Sequence, residues 1–382
     1  MKLTRRRFLG AGAACAVAAL PGCGPSESSA PPEPLVGDPL ETLRVRGYRG
    51  LVELPWFELD ARGRLVTTAE LPPGVDFHAH LGFSFFLAPG IDYNAAGSAP
   101  HYSFDCDADA ECVLDLDVYM NHFTTERMQS ALTSELVRTF LIGSAAGRTH
   151  TIPNLLAEMD DNSVERAVLL PLAPGFPFRD NLAERWLDAV AHCDAPERLV
   201  VFGSVHPADD AAPAKLRALA DRGARGVKLH PTMQRVRPDD PRTMELYEVC
   251  RERELIVFFH AGRAGVEPAF MQPYARMAHY RAPVAEFPDV RFVFGHAGAR
   301  DIDEAIPVAR GRTNVWMEAH GQGVRDIRRL LGAVGPERVL FGTDWPLFPQ
   351  AASLAKLLIA TRDDSSVRDR VFRENARELL SG

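Results

Sequence analysis

Cysteine is scarce: the chain has six in 382 residues, too few for the dense disulfide framework that staples small secreted folds. Cys15 and Cys23 belong to an N-terminal leader and its processing site, and Cys193 and Cys250 lie in predicted helices. Only Cys106 and Cys112, flanking a short acidic loop, invite a bridge, with two free thiols as the alternative. Basic runs are missing apart from Arg5-Arg6-Arg7, so the body carries neither a nucleic-acid stripe nor a polybasic membrane patch. Nucleic acid is therefore not an expected partner. The apolar run ending near Leu20 is too short to span a bilayer as a mature helix. What remains, 46% hydrophobic and 25% charged residues, is the composition of a globular chain with a sizeable core, and disorder is not the default.

The leader, residues 1–22, reads as a signal peptide. Thr4-Arg5-Arg6-Arg7-Phe8-Leu9-Gly10 ahead of the short apolar run resembles the twin-arginine type, a route that carries folded proteins. Leu20-Pro21-Gly22-Cys23 resembles a lipobox, although Pro21 is unusual inside one. Cys23 is then the lipidation site, and the expected location is periplasmic or cell-envelope, with the lipid as the sole membrane contact. Soluble release after cleavage near the same place is the alternative. Losing residues 1–22 removes Lys2, Arg5, Arg6 and Arg7 and no acid, so the net charge of −8 becomes −12. Residues 23–45, rich in Pro and Ser, read as a flexible tether, and 46–382 as one domain.

From residue 74 onward, short apolar runs alternate with amphipathic helical stretches. Eight runs can be counted: 75–80, 167–172, 199–205, 226–230, 256–260, 291–296, 315–320 and 339–344. Several are apolar at consecutive positions, as strands covered on both faces must be. Residues 209–222, 242–254, 302–310, 324–334 and 351–361 carry apolar side chains at three- and four-residue intervals and read as outer helices. Eight strands with helical crossovers close most naturally into an α/β (β/α)8 TIM barrel. The spacing breaks once, over residues 81–150, an insertion after the first strand. Its aromatic residues, among them Phe83, Phe85, Phe86, Tyr93, Tyr102, Phe104, Tyr119 and Phe123, suit a lid over the barrel mouth. Residues 50–68, with Asp60-Ala61-Arg62-Gly63 between two apolar runs, read as an appended hairpin.

His78, His80, His206, His230, His260, His296 and His320 all sit at or near the C-terminal end of a predicted strand, and in a barrel those ends surround one cup. In Asp76-Phe77-His78-Ala79-His80 the strand period points both imidazoles one way and Phe77 and Ala79 toward the helices. Such a pair can chelate one divalent ion. His260, from the fifth run, and Asp344, from the eighth, are placed to complete a site with a position open for water.

These pieces carry a resemblance. Val75-Asp76-Phe77-His78-Ala79-His80, Gly226-Val227-Lys228-Leu229-His230-Pro231, Phe259-His260-Ala261-Gly262, Phe294-Gly295-His296-Ala297-Gly298, Phe341-Gly342-Thr343-Asp344-Trp345-Pro346 and Glu374-Asn375-Ala376-Arg377-Glu378-Leu379-Leu380 stand in order across residues 74–380. They resemble the amidohydrolase superfamily, in particular the branch of aminocarboxymuconate-semialdehyde decarboxylase and related metal-dependent hydrolases. The resemblance implies His78, His80, His260 and Asp344 as metal ligands, His296 over the open position, and Asp344 also as general base. It implies one divalent ion, zinc first and manganese second; a second ion bridged by a carbamylated Lys228, as in binuclear members of the superfamily, is the alternative to this single-ion reading. Lys228 stabilises an oxyanion or a substrate carboxylate on this reading.

His230, His320, His206 and Trp345 are candidate substrate contacts; His206 and His320 depart from the family pattern, with hydrogen bonding behind the ligands as their alternative role. Arg263 and Arg300, on mouth loops, are candidates to clamp a carboxylate, against surface salt bridges. The expected reaction is hydrolysis of a C–N or C–O bond in a small molecule. Decarboxylation or hydration of an unsaturated or aromatic acid is the runner-up, and a lipid-anchored binding protein without catalysis is the third reading. A homodimer is compatible with the sequence, which leaves the oligomeric state open.

Overall fold

Eight strands order the chain: β1 (Gly74–Ala79), β2 (Val164–Leu169), β3 (Leu199–Val201), β4 (Gly226–Leu229), β5 (Ile256–His260), β6 (Phe292–Gly295), β7 (Val315–Glu318) and β8 (Val339–Leu340). The computed structural model describes residues 43–382 except 86, 109–110, 121–133, 136–137, 140–141 and 177–179. The leader, Cys23 and most of the tether lie outside the described residues, as do Phe86 and Phe123 of the insertion.

β1 to β3 pair in parallel, and so do β4 to β8. Backbone contacts close both seams. Lys228 N donates to Gly203 O (2.8 Å) between β3 and β4, and Phe77 N to Phe341 O (2.9 Å) between β8 and β1. The result is the expected (β/α)8 barrel. Outer helices follow each strand: α1 (Ile152–Asp161), α2 (Leu182–Ala191), α3 (Ala212–Asp221), α4 (Pro241–Glu252), α5 (Arg281–Glu286), α6 (Ile302–Ala309), α7 (Val324–Val334) and α8 (Gln350–Ala360). Local chemistry explains their starts and faces. Asp240 caps α4 by accepting from Arg242 N, and Pro241 occupies the first turn, where its missing N–H leaves no bond unmade. α7 buries Val324, Ile327 and Leu330 and turns Arg325 and Arg329 outward.

The barrel floor is apolar. Val75, Phe77, Val168, Leu170, Phe202, Ile256, Phe258, Val293 and Leu340 form one buried cluster, closed from below by Ala376 and Leu379 of the C-terminal helix Asn375–Ser381. Phe77 corrects the strict alternation expected of β1. Its ring packs inside, edge-on to Phe202 and stacked on Phe258, rather than toward the helices. The register of β1 against β2 shifts between Asp76 and Ala79, and this irregularity lets two successive residues, Phe77 and His78, both reach the interior.

The hairpin forms from Phe57–Leu59 and Leu65–Thr67, its turn held by Asp60 Oδ1 accepting from Arg62 N and Arg64 N (both 2.8 Å). The ordered fold begins inside the expected tether. Arg44–Arg46 pairs antiparallel with Val113–Asp115 of the insertion, and Val45 is buried because that pairing covers it. Cys106 and Cys112 are joined in a disulfide, with Cα atoms 5.4 Å apart. Tyr48 donates to Phe104 O (2.7 Å), and Phe104 stacks on Phe348 (4.5 Å between centroids), tying the insertion to the loop after β8. Among the described residues, no helix is long and apolar enough to cross a membrane.

Candidate metal centre

Above the apolar floor, the strand ends turn polar. His78 Nδ1 lies 2.8 Å from Glu318 Oε2, and His80 Nδ1 lies 2.6 Å from Leu170 O. A carbonyl and a carboxylate can only accept, so each ring carries its proton on Nδ1 and leaves Nε2 bare. Both bare nitrogens face Asp344 Oδ1, at 3.3 Å from His78 and 3.0 Å from His80. Two imidazole lone pairs and a carboxylate oxygen at these separations repel one another unless a cation stands among them. The donor atoms of His78, His80 and Asp344 all lie within 4.8 Å of one another, and the set fits a divalent ion bound by nitrogen and oxygen with a further position open.

Electrostatics agree with neutral ligands. Burial, with Lys228 and neighbouring imidazoles adding to it, holds His78 well below the ordinary histidine value. Burial likewise lowers His296 and His230, and brings His260 to about 3 and His320 to about 4. Burial works to raise the Asp344 carboxyl, yet the neighbouring His80 and the positive charge of Lys228 hold it below its usual value, so it is ionised. Lys228, fully buried over the Phe258 ring (4.3 Å) and 3.4 Å from His78 Nε2, is lowered by burial to about 7. Asp344 and His296 both adopt φ +56°, a left-handed conformation that costs a non-glycine residue on the order of 1–3 kcal/mol. At Asp344 that bend turns a side chain following the strand end back into the cup.

The cup opens into a cavity of about 460 Å³. His78, His80, Lys228, His230, His260 and Asp344 form its polar side. Phe83, Phe104 and Met120 of the insertion face them, together with Leu172, Phe176 and Met271. Most of that wall is apolar.

Not every expected residue joins the centre. His260 lines the cavity but is not among the donors drawn together within 4.8 Å: its ring stacks on His230 (4.1 Å) and its Nδ1 lies 3.1 Å from His296 Nε2. His296 lies beneath the cavity wall, 1% exposed, rather than over an open position. His320 is buried beside Asp344, its Nδ1 2.8 Å from Ser353 Oγ. His206 lines a separate, polar cavity of about 740 Å³ with Asp180, Asp209, Lys215 and Arg235. Trp345 does not line the cavity: it bridges by its backbone to Ala79 of β1, and its indole donates to Glu158 Oε2 (2.6 Å). The carboxylate clamp is absent. Arg263 is held by both oxygens of buried Asp301, and neither it nor Arg300 lines the 460 Å³ cavity. Asp301 occupies the Nε–Nη2 edge of the Arg263 guanidinium, which anchors this side chain away from the cavity.

Three buried carboxylates were not foreseen. Glu318 accepts from His78 and from the backbone of His296 (3.0 Å) and His320, so one side chain fixes three site residues. Asp76 accepts from His78 N, from Thr343 N and Oγ1, and from Gln350 Nε2, coupling the first strand to the bend that carries Asp344. Glu158 gathers Tyr102, Trp345 and Gln350 behind it. One signal for the first was present: Glu318-Ala319-His320 repeats the spacing of His78-Ala79-His80 at another strand end.

Comparison with known proteins follows the same lines. The amidohydrolase family profile matches residues 143–381, well over half the chain. No curated protein matches the chain in sequence. Among solved structures, an uncharacterised TIM-barrel protein from Bordetella bronchiseptica is similar at TM-score 0.55 and 20% identity, covering 81% of this chain and 98% of that one. 5-Carboxyvanillate decarboxylase LigW from Sphingomonas paucimobilis is similar at TM-score 0.54 and 20% identity, covering 68% and 96%. A probable 2-pyrone-4,6-dicarboxylic acid hydrolase from Acinetobacter baumannii is similar at TM-score 0.50 and 12% identity, covering 81% and 100%. At these identities the likeness is one of fold.

Proposed function

The chain belongs to the amidohydrolase family, and from that premise we propose that it hydrolyses a small, largely apolar substrate at a carbonyl carbon, an ester, lactone or amide. The observation that carries this reading is the convergence of three bare donor atoms, on His78, His80 and Asp344, at the base of an apolar cavity. A divalent ion bound there polarises a carbonyl and lowers the pKa of water at the site from 15.7 to roughly 7. Zinc is the first choice and manganese the second, since nitrogen and carboxylate donors serve both.

The remaining work falls to the chain. Asp344, ionised and within reach of the reacting water, accepts its proton and passes it to the leaving group. His230 accepts from Met233 N at Nδ1 (3.4 Å), so its proton sits on Nε2, and this N–H with Lys228 stabilises negative charge growing on the carbonyl oxygen. Glu318 keeps the His78 ring in the orientation that leaves Nε2 bare. Phe83, Phe104 and Met120 exclude water from above.

One observation favours decarboxylation of an aromatic acid as the second reading. The rings of Phe83, Phe104 and Phe176 suit a flat substrate, and Lys228 is a cation for its carboxylate. One of the structures similar in fold is a decarboxylase of such an acid. The full chain, loaded with zinc or manganese, separates the two on a panel of lactones, esters, amides and aromatic carboxylates. Metal-dependent hydrolysis is expected; carbon dioxide release with no hydrolysis overturns the first reading. Export through the leader, with an acyl group on Cys23, belongs to the same proposal, and mass spectrometry of the mature N-terminus checks it.

A further inference from the structure

The apolar wall of the 460 Å³ cavity does not stop at its mouth. In the loop after β5, Val266 and Pro268 line the cavity and are also exposed, and the exposed surface continues over Ala269 and Phe270. Val266 is 43% exposed and Phe270 64%. A single apolar side chain in water needs no explanation, whereas a contiguous run at the lip of a cavity marks a binding surface. The loop is held in this form. Gly265 N donates to Glu267 Oε2 (2.8 Å), Met271 N donates to Pro268 O (2.9 Å), and the Arg300 guanidinium packs against Gly265.

We infer that the substrate carries an alkyl tail, with its reacting head at the metal centre and its tail leaving the cavity over Val266 and Phe270. The inference deepens the hydrolase reading and rests on the centre that places the head. Charge on the wall selects a tail over a second polar end. Among the described residues, Lys228 is the only lysine or arginine that lines the cavity, and Glu267 adds a carboxylate to the same wall as Val266. A distal carboxylate on the substrate would meet repulsion and find no cation of its own. The side chains along the way suit a flexible occupant. Met120, Met233 and Met271 all line the cavity, and unbranched thioethers mould to a chain that has no fixed shape.

Straight-chain carboxylates from butyrate to dodecanoate are the probes, since they offer a charged head to Lys228 and the centre, lay a tail along the wall, and bind without chemistry. Each is titrated as monomer into the full-length protein, zinc-loaded and metal-stripped, and followed by calorimetry. Affinity is expected to rise by about fourfold per added methylene over the length that the wall and ridge cover, then level off, with or without zinc. Phe270→Ser should weaken dodecanoate on the order of fivefold and butyrate far less, and Phe270→Leu should restore most of the loss. No dependence on tail length overturns the tail site and leaves the metal reading standing. Dependence on tail length without zinc-dependent hydrolysis of esters of the same acids keeps the tail site and overturns the hydrolase reading alone. Dependence that Phe270→Ser leaves untouched puts the tail elsewhere and overturns the assignment. Binding to phosphatidylcholine vesicles, with no dependence on monomer length, shows the ridge to be a membrane contact and overturns it as well.

Discussion

The lower and upper halves of this barrel are built from the same strands and obey opposite rules. Below, Val75, Phe77, Phe202, Ile256, Phe258 and Leu340 fill the interior with apolar side chains and leave nothing to satisfy. A few residues further along, His78, His80, Lys228, Glu318 and Asp344 fill the same interior with groups that burial penalises. The contrast assigns stability to the floor and chemistry to the rim. The rim's cost is visible in unpartnered imidazole nitrogens, in two left-handed residues, and in Glu318, whose carboxyl burial pushes up against the backbone N–H groups of His296 and His320 that favour its ionised form.

That division can be broken or sharpened by substitution. The largest effect on folding is expected at the floor: Phe202→Ala should destabilise the chain by about 3–5 kcal/mol, seen as a lowered urea midpoint, while Mn(II) affinity under folding conditions stays unchanged. A smaller folding effect with lost metal binding would mean that the two halves are not separable. At the rim, Glu318→Gln should weaken metal binding by about 10- to 100-fold, measured by titration, with little loss of melting temperature. Unchanged affinity would show that His78 needs no such partner.

The smallest effect lies just behind the rim, at Lys356 of α8. Burial lowers this ammonium from 10.5 to about 7, against the pull of Asp115 and Asp117, and it donates a hydrogen bond to Val118 O (3.3 Å). Below about pH 7 both folded and unfolded chains hold the proton, and the full burial penalty is felt. Between about pH 7 and 10.5 only the unfolded chain holds it. Stability contributed by this site therefore rises with pH across that window. Lys356→Met should flatten that rise and stabilise the chain near neutral pH; urea unfolding of both proteins at pH 7 and pH 10 reads the difference.

Much of the fold was legible in sequence because strands buried on both faces cannot hide their apolar runs, and histidines at their ends are conspicuous against them. All eight strands overlap the runs that the pattern marked, although the second lies at Val164–Leu169 rather than 167–172, and the third and eighth stop at Val201 and Leu340, short of the expected 205 and 344. The rim was half legible. His78, His80 and Asp344 converge as expected, whereas the acids that orient them, Glu318, Asp76 and Glu158, look in sequence like any charged residue, and only their burial distinguishes them. Trp345 and Arg263 failed for the converse reason: proximity in sequence to a site residue says nothing about direction once the chain bends at Asp344 or an aspartate such as Asp301 lies closer. The insertion was least legible, since its path depends on scattered stackings such as Phe104 on Phe348 and on the Arg44–Arg46 pairing, which no periodicity announces.

Anomalous diffraction from crystals grown with Mn(II) or zinc locates the cation without reference to any substrate. A peak is expected among His78 Nε2, His80 Nε2 and Asp344 Oδ1, about 2.0–2.2 Å from each. A clean map with no peak at that point, from protein that is folded and saturated with metal, would contradict the assignment of the rim as a metal centre.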